Sequence, residues 1–249
     1  MRTRSENGVI EPDWPAPPGV VAASTERRGG ASAGVYASLN LGDHVGDVPA
    51  DVAANRRQLV AQLRLPSEPC WLTQVHGRRV LDLDAEEVSG EADGAVTSVA
   101  GRVCAVLTAD CLPVLLASTD GARVGAAHAG WRGLAAGVLP TAVAAMRVPP
   151  AQLVAWLGPA IGPASYEVGA EVRDAFVARD RAAERCFTPT RPGHWLADLY
   201  GLARLSLAAA GVDAVFGGDF CTFSDAARFF SHRRTAPCGR MATLIWRAS

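Results

Sequence analysis

Residues 103–118 read VCAVLTADCLPVLLAS and residues 123–130 read RVGAAHAG, and the fold follows from these two stretches. VCAVLT, PVLLAS and RVGAAH are short runs of aliphatic residues separated only by turn formers, which predicts three consecutive strands with no helix between them. Strands in direct succession exclude the regular strand-helix alternation of an open doubly wound sheet. The expectation is an α+β fold: one domain of mixed, mostly antiparallel β-sheets packed as a sandwich, with helices on the outside.

Working outward, 20–25 (VVAAST), 71–77 (WLTQVHG), 79–84 (RVLDLD), 153–158 (LVAWLG) and 241–246 (MATLIW) read as further strands bounded by turn residues. Helices are predicted over 52–62, where apolar residues recur at spacings of three and four behind an Asp51 cap, and over 133–146, 169–179 and 199–210. The Pro-rich residues 1–19 read as a mobile or edge-pairing arm, and 20–249 as a single catalytic domain. A chain of 249 residues that is 49% hydrophobic has enough apolar material for such a core.

Every basic residue is Arg; the absence of Lys excludes a Schiff-base or phosphate-loop lysine. A formal net charge of −1 supplies no steering field for nucleic acid or an anionic membrane, and neither is expected as a partner. Prolines and acids interrupt the stretch where a signal peptide needs an apolar run, and no window approaches a membrane span, so a soluble cytoplasmic protein is expected. Six dispersed cysteines without a CxxC pair read as thiols rather than a disulfide framework, with Cys104 a small core residue.

Chemistry concentrates at three positions. His76 in TQVHG and His128 in AAHAGWRG each end a predicted strand just before a glycine, and Cys111 lies in TADCLPVLL between two strands. Two imidazoles and a thiolate suit Zn²⁺, and three protein ligands leave a fourth position open, as catalytic zinc sites do. The same residues suit a Cys–His hydrolase in which Cys111 is the nucleophile and His128 the base. The intervals between them match no zinc-finger spacing, and spacing alone leaves both possibilities open.

Seven segments then carry a resemblance: SLNLGDHVGD (38–47), LTQVHG (72–77), ADGAVT (92–97), TADCLPVLL (108–116), AAHAGWRGL (126–134), LGPAIGPASYEVG (157–169), and FFSHRR with GRMA (within 229–242). In this order they resemble the laccase-domain, or polyphenol oxidase-like, family over nearly the whole chain. The resemblance implies an α/β/β/α-like sandwich and a purine nucleoside phosphorylase that acts on adenosine, inosine, guanosine and methylthioadenosine and also deaminates adenosine. It implies zinc on His76, Cys111 and His128, which are then also the catalytic residues. Two departures from the family pattern bear on substrate preference: His232 stands where the family has Tyr in SYRR, and Cys238 precedes Gly239-Arg240 where a Thr is usual.

Phosphorolysis requires cations for a phosphate dianion, and without Lys these must be Arg forks. Arg57 on the first helix and Arg233 in SHRR are placed ahead of Arg132 as phosphate contacts. Asn40 and Gln74 are candidates for binding ribose or the purine edge; Asp110 is a candidate to orient a metal ligand and Glu167 to carry a proton. His44 and His194 are given no metal role. A copper oxidase is disfavoured, because multicopper chemistry needs many His ligands and the chain has five His in all.

Overall fold

The computed structural model describes residues 5–6, 8–85 and 90–248. Of the predicted arm, residues 1–4 and 7 lie outside the described residues, as do 86–89 and 249 of the predicted domain.

The three strands of the opening motif exist as read, but they do not share one sheet. The first, β6 (Val103–Thr108), belongs to a five-stranded sheet, paired antiparallel to β14 (Met241–Arg247), which pairs with β3 (Val20–Thr25). Two short strands, β1 (Ser5–Glu6) at the edge and β2 (Val9–Ile10) between it and β3, complete that sheet, with Ile10 fully buried. The second and third, β7 (Leu112–Ser118) and β8 (Val124–Ala129), form the antiparallel centre of a six-stranded sheet. Its remaining strands are β4 (Val80–Asp82), β5 (Gly94–Thr97), β9 (Leu153–Leu157) and β13 (Ala214–Gly217). The chain therefore crosses from one sheet to the other between Thr108 and Leu112.

Every residue of β6, β7 and β8 is buried, which is why they read as continuous apolar runs without polar alternation. The period of two persists underneath and divides the core into layers. Cys104 and Val106 of β6 meet Leu115 and Ala117 of β7, Ala126 of β8 and Ile245 of β14 between the sheets. Val114 and Leu116 face the opposite way, onto α3 (Val138–Ala145) and α5 (Leu199–Ala209). Val103, Ala105 and Leu107 pack with Leu244 and Trp246 against Leu59 of α1 (Pro49–Leu63). The order of layers is helix, sheet, sheet, helix, as expected. A separate three-stranded sheet, β10 (Glu167–Gly169), β11 (Phe187–Pro189) and β12 (His194–Ala197), lies beside α4 (Ala170–Val177).

Three expectations need correction. Residues 71–77 are no strand: apart from single bridges at Cys70 and Thr73 they are loop, because the Gln74 side chain takes the ladder's place. Its Nε2 donates to the Leu107 carbonyl at 2.9 Å and its Oε1 accepts from the Leu107 N–H at 2.7 Å. The helix predicted over 133–146 is two, α2 (Trp131–Ala136) and α3, because Gly137 adopts a left-handed φ of 95°. Asp51 sits inside the first turn of α1 rather than capping it, and Val48 holds the cap position.

Leu115 is fully buried between the sheets. Leu115→Ala is expected to lower the free energy of unfolding in urea by about 2–5 kcal/mol. A loss below about 1 kcal/mol would show that the inter-sheet layer does not govern stability.

Candidate metal centre and its cavity

His128, near the end of β8, pairs with Pro113 at the start of β7, so the imidazole emerges at the sheet edge where the chain arrives from the other sheet carrying Cys111. His76 reaches the same place from the 71–77 loop through a left-handed backbone, φ 59°. One atom from each side chain lies within 4.8 Å of the others, with Cys111 Sγ 3.8 Å from His76 Nε2. A tetrahedral zinc site with its usual bond lengths holds its donors roughly 3.3–3.6 Å apart, so the Cys111–His76 pair at 3.8 Å needs only a few tenths of an ångström of closure, whereas a pair at the 4.8 Å limit needs roughly 1.2–1.5 Å. Gly130 permits the approach: a Cβ there would stand 2.9 Å from Cys111 Sγ and 3.0 Å from His76 Cδ2.

Two buried carboxylates anchor the loops. Asp110, itself at φ 90°, accepts from Thr222 Oγ1 at 2.6 Å, Ser231 Oγ at 3.0 Å and the Arg233 N–H at 2.7 Å, so it fixes the 222–233 segment beside Cys111. It was expected to orient a metal ligand, but its carboxylate is spent on that segment. Tyr166 on the cavity wall was not singled out in the sequence, and neither was Asp93, which lies inside the ADGAVT segment. Asp93 accepts from the backbone of the His76 loop and pairs with His128 Nδ1 at 2.8 Å. Burial pushes its carboxyl up, but hydrogen bonds from His128, Gly77 and Val75 outweigh this and hold it below the ordinary carboxylate range.

Burial also pushes the Cys111 thiol up, but the adjacent His128 imidazolium and hydrogen bonds from both histidines reverse this and bring it to about 6. Burial lowers His128, whereas the Cys111 thiolate and Asp93 raise it to about 9. Without a metal the pair is a thiolate and an imidazolium at neutral pH.

The three residues line a cavity of about 440 Å³ together with Gln74, Tyr166, Arg132, Arg233 and Arg240. His44 and His232 stand in the same wall although they are distant in sequence. An adjoining cavity of about 340 Å³ shares Trp131, Arg132, Tyr166 and Arg233 and includes Glu167, Arg191 and His194. Glu167 is held there by an ion pair with Arg191 at 2.8 Å.

Two residues assigned to substrate do not reach the cavity. Arg57 lies exposed on α1, whose buried face is Val52, Asn55 and Leu59. Asn40 is fully buried and locks its own loop: Oδ1 accepts from the Gly42 and Arg240 N–H groups, and Nδ2 donates to the Gly42 carbonyl and Asp47. Gln74 lines the cavity with its amide already bound to Leu107. Arg233 lines it while donating to the Glu167 carbonyl at 2.7 Å, and Arg132 lies over the Trp131 ring at 4.5 Å.

A four-layered sandwich that brings two imidazoles and one sulfur together at a sheet edge, on the wall of a cavity, defines the structural class. The chain belongs to the family described as multi-copper polyphenol oxidoreductase laccase, which it matches over residues 21–248. It is 54% identical over 255 residues to a purine nucleoside phosphorylase of Xylella fastidiosa (strain 9a5c), covering 98% of each chain. To a purine nucleoside phosphorylase of Pseudomonas aeruginosa it is 53% identical over 241 residues, covering 96% of this chain and 98% of the relative. The crystal structure of a Neisseria meningitidis protein superposes with a TM-score of 0.94 at 47% identity, over 98% of this chain and 100% of that one. The copper in the family description is not matched by the donors. Among the described residues His76, Cys111 and His128 are the one group of three or more His, Cys or acidic side chains placed to share an ion. Such a set serves a single ion, not a multicopper cluster.

In metal-free protein, alkylation of Cys111 by iodoacetamide is expected to rise with pH through about 6 and to level off by neutrality, as the thiolate fills. Cys104, buried and pushed well up, is expected to stay unmodified. Peptide mapping after timed alkylation measures both; a Cys111 rate still climbing between pH 8 and pH 9 would contradict the thiolate–imidazolium pair.

Proposed function

We propose that this chain is a purine nucleoside phosphorylase working at His76, Cys111 and His128 with one zinc ion. Its substrates are adenosine, inosine, guanosine and methylthioadenosine, and it also deaminates adenosine. The observation that carries the reading is the convergence of three ligand atoms within 4.8 Å on the wall of a cavity of about 440 Å³. The names of relatives at 53% and 54% identity support it. The partners are a small-molecule nucleoside and inorganic phosphate, met in the cytoplasm.

Phosphorolysis breaks the C1′–N9 bond, forms a bond from C1′ to a phosphate oxygen, and leaves the purine in need of a proton. The Arg132 and Arg233 forks hold the phosphate dianion, in place of the Arg57 first considered. Tyr166 borders both cavities, and burial keeps its phenol protonated as a hydrogen-bond donor to the departing base. His76, Cys111 and His128 hold the zinc, which when bound supplies a Lewis acid at the cavity wall. Deamination uses the same cavity, with water replacing the C6 amino group and ammonia leaving.

A second reading is favoured by the order Cys111, His128, Asp93, which is that of a metal-independent Cys–His amidohydrolase. The two readings use one sulfur differently, as metal ligand or as nucleophile.

Purified protein is expected to carry about one zinc per chain and to release free purine only when phosphate is present. Cys111→Ala is expected to lose every product; activity surviving in that variant rejects the site. Metal-free protein that stays active until Cys111 is alkylated supports the amidohydrolase instead. Arg132→Ala is expected to raise the apparent KM for phosphate by about 10–100-fold, the worth of a hydrogen bond to a charged group. Arg57→Ala is expected to leave it unchanged, and equal phosphate kinetics in both variants would reject the arginine assignment.

A further inference from the structure

Asp93 is fully buried just before β5, and its hydrogen bonds run to both histidines of the site. Oδ1 accepts from the His76 N–H at 2.9 Å, and Oδ2 accepts from the Gly77 N–H at 2.6 Å and the Val75 N–H at 3.3 Å. Oδ1 also takes the Nδ1 proton of His128 at 2.8 Å, and the Asp93 carbonyl accepts the His128 N–H at 2.7 Å. A carboxylate without water is tolerated only when paired in this way, and here the pairing consists of the site itself.

Two consequences follow. With Nδ1 committed to Asp93, the ring nitrogen of His128 left for Cys111 and an ion is Nε2, so the carboxylate fixes tautomer and ring orientation together. Three successive N–H groups converging on one carboxylate also hold the left-handed turn at His76, an exposed residue on a loop that no strand ladder supports. The two ligands come from separate elements, and one side chain sets the position of both.

We propose that Asp93 is the positioning residue that assembles the two-histidine half of the metal site before any ion arrives, a reading that rests on zinc as the ion. Asp93→Asn keeps the shape and one acceptor oxygen but replaces the other by a donor that opposes the N–H groups around it. In competition with a chromophoric chelator, the zinc dissociation constant of D93N is expected to rise by about 10–100-fold over the wild type. Amide hydrogen exchange supplies a readout independent of metal and of activity. In metal-free wild type the amides of Val75, His76 and Gly77 are expected to exchange slowly, and in D93N quickly, while β6, β7 and β8 stay protected.

A D93N protein with the wild-type zinc constant overturns the inference alone, whereas a wild type that takes up no zinc overturns the proposed function. Should D93N fail to fold, the wild-type exchange decides: fast exchange at 75–77 in the metal-free protein means the turn is not built in advance, and the proposal falls.

Discussion

The burial of two sheets against each other is the constraint on which the rest of the structure depends. Cys104, Val106, Leu115, Ala126 and Ile245 fill the space between them, and each side chain is there because its strand alternates between this layer and a helical one. Because β6 and β7 are consecutive but belong to different sheets, the chain has to cross between layers within a few residues. That crossing carries Asp110 in a left-handed backbone conformation and delivers Cys111 to the edge where His128 lies near the end of β8. The site is thus a by-product of sandwich packing, at the short crossing that joins β6 of one sheet to β7 of the other.

Hydrophobic burial brings the elements together but does not orient imidazoles. Orientation comes from two buried carboxylates with separate tasks. Asp93 faces the histidines, and Asp110 faces Thr222, Ser231 and the backbone of Arg233 on the segment that closes the cavity's other side. In a low-dielectric setting each hydrogen bond to them is strong and each missing one costly, so the loops they hold have little freedom. Dryness by itself pushes the Cys111 thiol up, and it is His128 beside it, with hydrogen bonds from both histidines, that makes the sulfur a thiolate, the form in which it binds metal or attacks carbon. Where α1 needs Asn40 and Asn55 for loop architecture, polar side chains that look available in sequence are consumed: Asn55 Nδ2 donates to Ser32 and to the Asn40 carbonyl.

The sequence by itself determined the sandwich class, seven of the fourteen strands among the described residues, and the three candidate residues at the centre. Apolar runs bounded by turn residues are a local signal, and the two His and the Cys at predicted strand ends are visible without coordinates, although it took the family resemblance to join them into one site. Membership of β6 and β7 in different sheets was not legible, because both are buried on two faces and neither composition nor periodicity names a partner. Arg57 and Asn40 were misjudged for a related reason. Which face of α1 turns inward, and whether an amide is already satisfied, depends on groups far along the chain such as Arg240. Asp93 escaped notice because its worth lies in partners at Val75, His76, Gly77 and His128, which only the folded chain brings within 3.3 Å of it. Local chemistry fixed which atoms were able to act; long-range packing decided which of them meet.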